Sequence, residues 1–403
     1  MSQIRPFAAV RAPNALARDV IALPYDVMNE AEARAIVAAN PRSFIRVSRP
    51  EAVLPVGTDS HSRLAYDTVR SEYDGMKAAG LLIQDPSEGY YLYGQKMGDH
   101  AQIGLVACFS CEEYDTGLIK KHEHTRPDKE KDRVEHIDGS NAQTGMVFLA
   151  YRDTTRLNTL ITTLAARPPE WEVVTEDGVR HTLWRVADPV DVTAITAAAA
   201  ELPATYVADG HHRSAAASIV HRMRAGKPGR HGWFLAGLFP ASSLQILAYN
   251  RAVKDLFGHT PGSLMAAIKA HFDVAPTTSP VPAGPGRYTM YLGGTWYGLT
   301  ARHVPSDPVA RLDVSMLQDR VLQPLLGIEN PRTDKRIDFI GGIRGWQELK
   351  ALVDSGSHAV AFHLHPTAMS QLLDVADAGE VMPPKSTWFE PKLRDAVAMH
   401  ELD

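Results

Sequence analysis

Ala204-Thr-Tyr-Val-Ala-Asp-Gly-His-His-Arg-Ser-Ala-Ala-Ala217 is the stretch from which the rest of the chain is read. Its apolar start suits a short buried strand, Asp209-Gly210 marks a sharp turn, and the small residues from Ser214 onward suit a packed helix. That order puts His211, His212 and Arg213 at a helix N-terminus, where free N–H groups and the helix dipole already favour an anion. Two imidazoles and a guanidinium add to this, so phosphate is the natural guest. A lone Asp-Gly turn would be an ordinary connection. Asp209, Gly210, His211, His212 and Arg213 in succession, at the C-terminal end of a strand, point to a site.

Outward from this stretch, strand-like and helix-like segments alternate. Gln143 to Tyr151 reads as a strand, Thr155 to Ala166 as a helix, and Trp171 to Val186 as a hairpin turning at Glu176-Asp-Gly. An alanine-rich helix from Asp191 to Leu202 leads into the site. Beyond the site, Trp233 to Pro240 and Leu244 to Arg251 read as adjacent core strands. The alternation predicts an α/β (α+β) fold around a mixed sheet. Near the start, Asn29 is placed as the N-cap and Glu32 as the capping-box partner of a helix that Pro41 stops. Ser43 to Glu51 alternates like a strand, with Arg46, Ser48 and Arg49 on a face read as wet rather than as a pocket lining. Thr277 to Gly286 is a turn-rich connector, and a further hairpin and two helices after it suggest a compact α+β unit.

With 403 residues, 44% hydrophobic and 22% charged, the chain can bury substantial cores and divides into two or three domains. A net charge of −5 gives no bulk electrostatic argument for nucleic acid. Cys108 and Cys111 have no second pair to complete a zinc site and read as structural thiols in a reducing cytosol. No stretch approaches the roughly 20 apolar residues of a membrane span, and the N-terminus lacks an apolar signal core. The expectation is a cytoplasmic protein with neither nucleic acid nor membrane as partner; a homo-oligomer is left open.

Two further stretches carry chemistry. Lys120 to Arg133 is the densest ionisable run, and from Asp128 onward a solvated helical face explains it. His122-Glu123-His124-Thr125 follows a strand-like segment directly. On a strand the two histidines would point one way and Glu123 the other, so a metal would need ligands from elsewhere. Glu123 as a general base needs only reach and a suitable pKa. Near the end, Lys385, Ser386 and Thr387 lie on an extended segment bracketed by prolines, which leaves three polar donors for an anion or forms a plain surface loop.

Pro24-Tyr25-Asp26, Asn40-Pro-Arg-Ser-Phe, His122-Glu-His-Thr, Ala208-Asp-Gly-His-His-Arg and Met382-Pro-Pro-Lys-Ser-Thr-Trp-Phe-Glu-Pro-Lys together resemble the bacterial domain-of-unknown-function family 1015 (DUF1015) over nearly the whole chain. A remoter similarity joins these motifs to the free serine kinases (SerK-like) of the ParB/sulfiredoxin-like superfamily. Those share the His-Glu pair, the Asp-Gly-His-His-Arg turn and the late Lys-Ser-Thr segment in the same order. The resemblance implies a ParB/sulfiredoxin-like catalytic core at 102–260, an added N-terminal α/β region at 1–101, and a C-terminal α+β domain at 261–403 that contributes the Lys-Ser-Thr segment. It implies that Glu123, beside His122, is the base for a substrate hydroxyl. Asp209, Gly210, His211, His212 and Arg213 would cradle the phosphates of ATP or ADP, with Asp209 helping to place Mg²⁺, and Lys385, Ser386 and Thr387 would hold the amino-acid substrate. Such a set meets the needs of phosphoryl transfer, in which positioning and charge stabilisation do most of the catalysis. The expected activity is phosphorylation of free L-serine to O-phospho-L-serine. The alternative is a ParB-like nucleotide-binding switch or partner-binding module without kinase activity, and a third reading is a metal-dependent hydrolase using His122, His124, His211 and His212.

Overall fold

Nine strands of the first of two units form a mixed sheet: β1 (Ile4–Arg5), β2 (Tyr90–Met97), β3 (His100–Ser110), β4 (Ile119–Lys120), β5 (Val147–Tyr151), β6 (Trp171–Val174), β7 (Arg180–Val186), β8 (Thr205–Asp209) and β9 (Trp233–Pro240). The structure is a computed structural model that describes residues 2–403. The sheet order is β4-β8-β5-β9-β3-β2-β7-β6, with β1 on β3. β8 runs parallel to β4 and β9 parallel to β5, and the other ladders are antiparallel. Central strands are apolar on both faces, as strands covered on both sides must be: Leu105 to Ser110 is buried without a break. The helix Thr155–Ala165 buries Leu157, Ile161 and Leu164, and Pro189–Ala200 buries Ile195, Ala198 and Ala199. These join Leu105, Ala107, Phe109 and Leu149 in the main core.

This unit comprises Met1–Leu244 and Pro391–Asp403; Gln245–Glu390 forms the second. The division differs from the three regions expected. The boundary at 101/102 falls inside β3, that at 260/261 falls just before the helix Pro261–Ile268 of the second unit, and the chain's end returns to the first unit. Trp233–Pro240 and the strand beginning at Tyr249 are therefore not neighbours but members of different sheets.

Local expectations near the start hold in part. Glu30–Ala39 is a helix with Asn29 and Glu32 in a reciprocal capping box. Ser43 to Glu51 is not a strand: Ile45–Ser48 is a helical turn and Pro50–Ala52 a 3-10 turn. The Ser43 hydroxyl accepts the Ile45 N–H at 3.3 Å, and Phe44, Ile45 and Val47 are all buried, which period-two alternation cannot achieve on one face. Cys108 lies in β3 while Cys111 opens a helical turn capped by Ser110. Both are buried free thiols whose pKa values burial pushes up, Cys111 to about 12, so neither is a poised nucleophile.

The second unit is built on an antiparallel six-stranded sheet of β10 (Tyr249–Val253), β11 (Phe272–Pro276), β12 (Arg287–Leu292), β13 (Thr295–Ala301), β14 (Ile337–Gly341) and β15 (Val360–Leu364). Its order is β11-β13-β12-β15-β10-β14. Gly293 and Gly294, both at positive φ, turn the predicted hairpin between β12 and β13. Gln245–Leu247 pairs separately with Trp388–Glu390. Among the described residues no helix is long and apolar enough to cross a membrane.

Candidate active site

β8 ends at Asp209, Gly210 turns with φ 91°, and the helix His211–Met223 begins. A side chain disfavours that left-handed backbone, and a Cβ on Gly210 would also lie 3.4 Å from the Val147 Cα. The Arg213 and Ser214 N–H groups bond back to the Gly210 carbonyl at 2.9 and 3.0 Å. No side chain caps this helix start, so its first N–H groups remain for an anion.

Asp209 accepts the Gly210 N–H at 2.8 Å through Oδ1 and the Lys392 ammonium at 2.9 Å through Oδ2. Burial opposes its charge, but Lys392 and Arg213 outweigh burial and hold the carboxyl well below the usual carboxylate range. Arg213 donates to the Met146 carbonyl. Burial works against its charge too, and Asp26, Asp209 and Asp395 more than restore it. Asp395 is buried and accepts the Ser48 hydroxyl at 2.7 Å. Burial pushes its carboxyl up to about 6, with Arg213 and Ser48 pulling the other way. A Cβ on Gly145 would overlap the Asp395 carboxylate, so the close approach requires glycine there.

The histidines do not supply the positive charge expected of them. His122 and His211 are 2% and 5% exposed, with rings edge-to-face at 4.5 Å. Burial pulls His122 down to about 4 and His211 well below its ordinary value, so both are neutral at pH 7. Among the described residues, His122 Nδ1 and His211 Nε2 are buried without a hydrogen-bond partner. His212 is partly exposed, is lowered by burial, and accepts the Arg126 N–H at 3.1 Å. The positive charge at this helix start belongs to Arg213 and Lys392.

His122-Glu123-His124-Thr125 is not part of a strand. β4 stops at Lys120, and the motif forms the irregular connection to the helix Pro127–Ser140. It buries His122, leaves His124 exposed and Glu123 partly exposed. Nor is the helix a merely solvated face, because Asp132 and His136 are buried. Asp132 bonds with His61 at 3.0 Å, Tyr66 at 3.1 Å and Arg133 at 2.7 Å, while His136 Nε2 meets the Val47 carbonyl at 3.1 Å.

Two clefts meet beside Tyr25, and Arg213 lines one of them. One of about 450 Å³, part of it open to solvent, is lined by Arg213, Asp395, Gly145 and Thr144. The other, about 490 Å³, is lined by Arg49, Glu51, His61, Lys129 and Asp132. Tyr25, Ser48, Arg133 and His136 border both, with the Arg133 guanidinium 3.8 Å over the Tyr25 ring. Ser48 and Arg49 thus line clefts, contrary to the preference for a wet face. Sequence reasoning quoted Asp26 and Lys392 within motifs but gave them no role, and it missed Asp395 altogether; no local pattern singles out a residue whose partner, Ser48, is 347 positions away.

Lys385, Ser386 and Thr387 belong to the second unit. Lys385 is exposed with φ 60°, and its ammonium lies 5.5 Å from the Tyr249 ring centroid. The buried Ser386 donates its hydroxyl to the Pro383 carbonyl at 2.6 Å, which removes it from the set of free donors.

Among the described residues no group of three or more His, Cys, Asp or Glu side chains is placed to hold a metal. Asp209 is a poor Mg²⁺ ligand, because both its oxygens already accept hydrogen bonds and one of its donors is an ammonium. The donor set does not fit protein-bound Mg²⁺, nor the four-histidine hydrolase reading, in which exposed His124 would have to join buried His122.

A mixed α/β unit in which a strand ends on a left-handed glycine, followed by a helix start without a side-chain cap and with two cations beside it, defines a protein of the α/β class. The chain belongs to the family described as "Protein of unknown function (DUF1015)", whose model matches residues 4–315. No curated protein matches it. Solved structures similar to it include a free serine kinase variant in complex with AMP, at 12% identity over 74% of this chain and 92% of that one, with a TM-score of 0.38. A conserved hypothetical protein from Pyrococcus furiosus is 14% identical over 73% of this chain and 94% of its own, with a TM-score of 0.35. C-terminally truncated SbnI from Staphylococcus aureus is 12% identical over 71% and 82%, with a TM-score of 0.38.

Proposed function

We propose that the chain is a nucleotide-dependent kinase that transfers a phosphoryl group from ATP or ADP to the hydroxyl of free L-serine. The observation that carries the reading is the uncapped helix start after Gly210, flanked by Arg213 and Lys392. Backbone N–H groups and two fixed cations suit phosphate oxygens, and a network already oriented needs little reorganisation as charge develops. The motif likeness to free serine kinases supplies the acceptor and the assignment of Glu123. In the proposed step the serine oxygen forms a bond to the terminal phosphorus while the bond from that phosphorus to the bridging oxygen breaks. The hydroxyl proton passes to the Glu123 carboxylate, and ADP (from ATP) or AMP (from ADP) leaves. His122 and His211, neutral and packed together, wall this region without adding charge. Mg²⁺ is given no protein ligand, and the activity is assigned to the cytoplasm, where nucleotide and free serine occur.

Mass spectrometry of O-phosphoserine, formed by purified protein with L-serine, Mg²⁺ and ATP or ADP in separate reactions, tests this. Product is expected with one donor, falling about a hundredfold or more in Glu123→Gln while nucleotide binding persists. Nucleotide binding without product from either donor would favour the nucleotide-switch reading.

A further inference from the structure

The cleft beside Tyr25 that Arg213 does not line is walled by two ion pairs, each with one group left over, and it lies wholly within the first unit. Pro50 opens the 3-10 turn Pro50–Ala52 directly after the helical turn Ile45–Ser48, and this tight connection buries Glu51, 4% exposed, at the cleft wall. Glu51 Oε1 accepts the Arg49 Nε–H at 2.5 Å, while Arg49 Nη1 donates to the Tyr25 and Met28 carbonyls at 2.8 and 2.9 Å. Among the described residues no group donates to Glu51 Oε2. A buried carboxylate satisfied on one oxygen is costly, and a donor entering the cleft relieves that cost.

The second pair leaves the opposite charge over. Asp132 is fully engaged: Oδ1 bonds with His61 and the Tyr66 hydroxyl, and Oδ2 accepts Arg133 Nε and Nη2 at 3.1 and 2.7 Å. Burial opposes the Asp132 charge, but Arg133, His61 and Tyr66 together outweigh burial and hold the carboxyl below the usual range. With its face on the Tyr25 ring and two nitrogens on Asp132, the Arg133 guanidinium is fixed in place. Its Nη1 has no partner among the described residues. The two pairs cancel in charge, and Lys129 is partly exposed to solvent. A simple anion would meet the Glu51 carboxylate, and a simple amine would meet the Arg133 guanidinium. A ligand carrying both charges and no net charge satisfies both.

We propose that this cleft binds a zwitterionic α-amino acid, its ammonium on Glu51 Oε2 and its carboxylate on Arg133 Nη1. Both contacts are charge-assisted hydrogen bonds to groups held in place before the ligand arrives. Calling this amino acid the phosphoryl acceptor rests on the kinase reading. Tyr25, Ser48, Arg133 and His136 border both clefts, so a ligand here lies next to the cleft that Arg213 lines.

The test uses L-serine, 3-hydroxypropanoate, which is serine without its ammonium, and ethanolamine, which is serine without its carboxylate. Each is titrated calorimetrically into the full chain as wild type, Glu51→Gln and Arg133→Lys, with AMP as a control and phosphoserine formation followed in parallel. The wild type is expected to bind L-serine at least about tenfold more tightly than either fragment. Glutamine keeps an oxygen for Arg49, so Glu51→Gln should hold its Tm and its affinity for AMP. That variant should lose about tenfold for L-serine and nothing for 3-hydroxypropanoate. Arg133→Lys keeps a cation for Asp132 and should weaken L-serine and 3-hydroxypropanoate but not ethanolamine. A merely structural role would weaken all three ligands alike, and that result overturns the proposal. So does equal binding of L-serine and 3-hydroxypropanoate by the wild type, a comparison that stands even if a variant fails to fold. Glu51-dependent serine binding without phosphoserine keeps the pocket and removes the kinase. Phosphoserine formed by Glu51→Gln with an unchanged KM for serine does the reverse, and AMP binding with neither serine binding nor product overturns both.

Discussion

The two units treat buried positive charge in opposite ways. In the first, Arg213 is surrounded by the carboxylates of Asp26, Asp209 and Asp395, and Lys392 is paired with Asp209. In the second, Arg251 has carbonyls and rings, and Lys385 has a ring. The first arrangement is compensated before any ligand arrives, so it can hold a phosphate in a fixed geometry while leaving only modest net charge behind. The second has no acid beside its buried guanidinium and rests on backbone carbonyls and rings alone.

Acid should separate the units most strongly. In the first, burial lowers His122 and His400 to about 4 and His136 and His181 to about 3. Their folded pKa values lie below the ordinary 6.5, so their contribution is full above that pH and is lost as pH falls towards 4. Asp395, raised to about 6, opposes this by favouring the fold as it protonates over the same range. Each tenfold change in proton affinity is about 1.4 kcal/mol, and four histidines outweigh one aspartate. Amide exchange of the whole chain should show the first unit opening between about pH 6 and 4 while the sheet of the second, where His363 is the one histidine lowered, stays protected. Simultaneous opening of both would break the contrast.

Arg213→Ala should cost about 3–5 kcal/mol, because it strands buried carboxylates. Arg251→Met, which strands carbonyls but no charge, should cost about 1–3 kcal/mol. Equal losses in denaturant titrations would mean that Arg251 has a counter-charge after all. Lys392→Met should weaken nucleotide binding about tenfold and return the Asp209 carboxyl towards the ordinary range, visible as a new pH dependence of nucleotide affinity near pH 4. The smallest effect is expected for Gly210→Ala, about 1–2 kcal/mol from the left-handed turn, read as a drop of a few degrees in Tm.

Much of the fold was legible in the sequence, because its signals are short. The strand, glycine and helix of Thr205 to Met223 lie where backbone preference puts them. The Asn29–Glu32 capping box and the hairpin over Gly293-Gly294 are equally local. Ser43 to Glu51 misled because its alternation is weaker evidence than Pro50 and the Ser43 hydroxyl, which favour turns. The division into units was misread because Trp233 to Pro240 and Tyr249 to Val253 look alike as apolar strands. Nothing in either strand says which sheet it joins.

By itself the sequence determined which residue types arrive together at the end of β8, and the family to which the chain belongs. Tertiary structure alone decided their charge states and partners. Lys392 reaches Asp209 across 183 positions, and Arg251 holds the Lys385 carbonyl across 134. His211, which reads as a cation on paper, is a neutral wall once buried against His122. Backbone preference acts over a few residues and is written in the local sequence. Proton affinity and ion pairing depend on burial and on distances between residues far apart in the chain, and these exist only once the chain has folded.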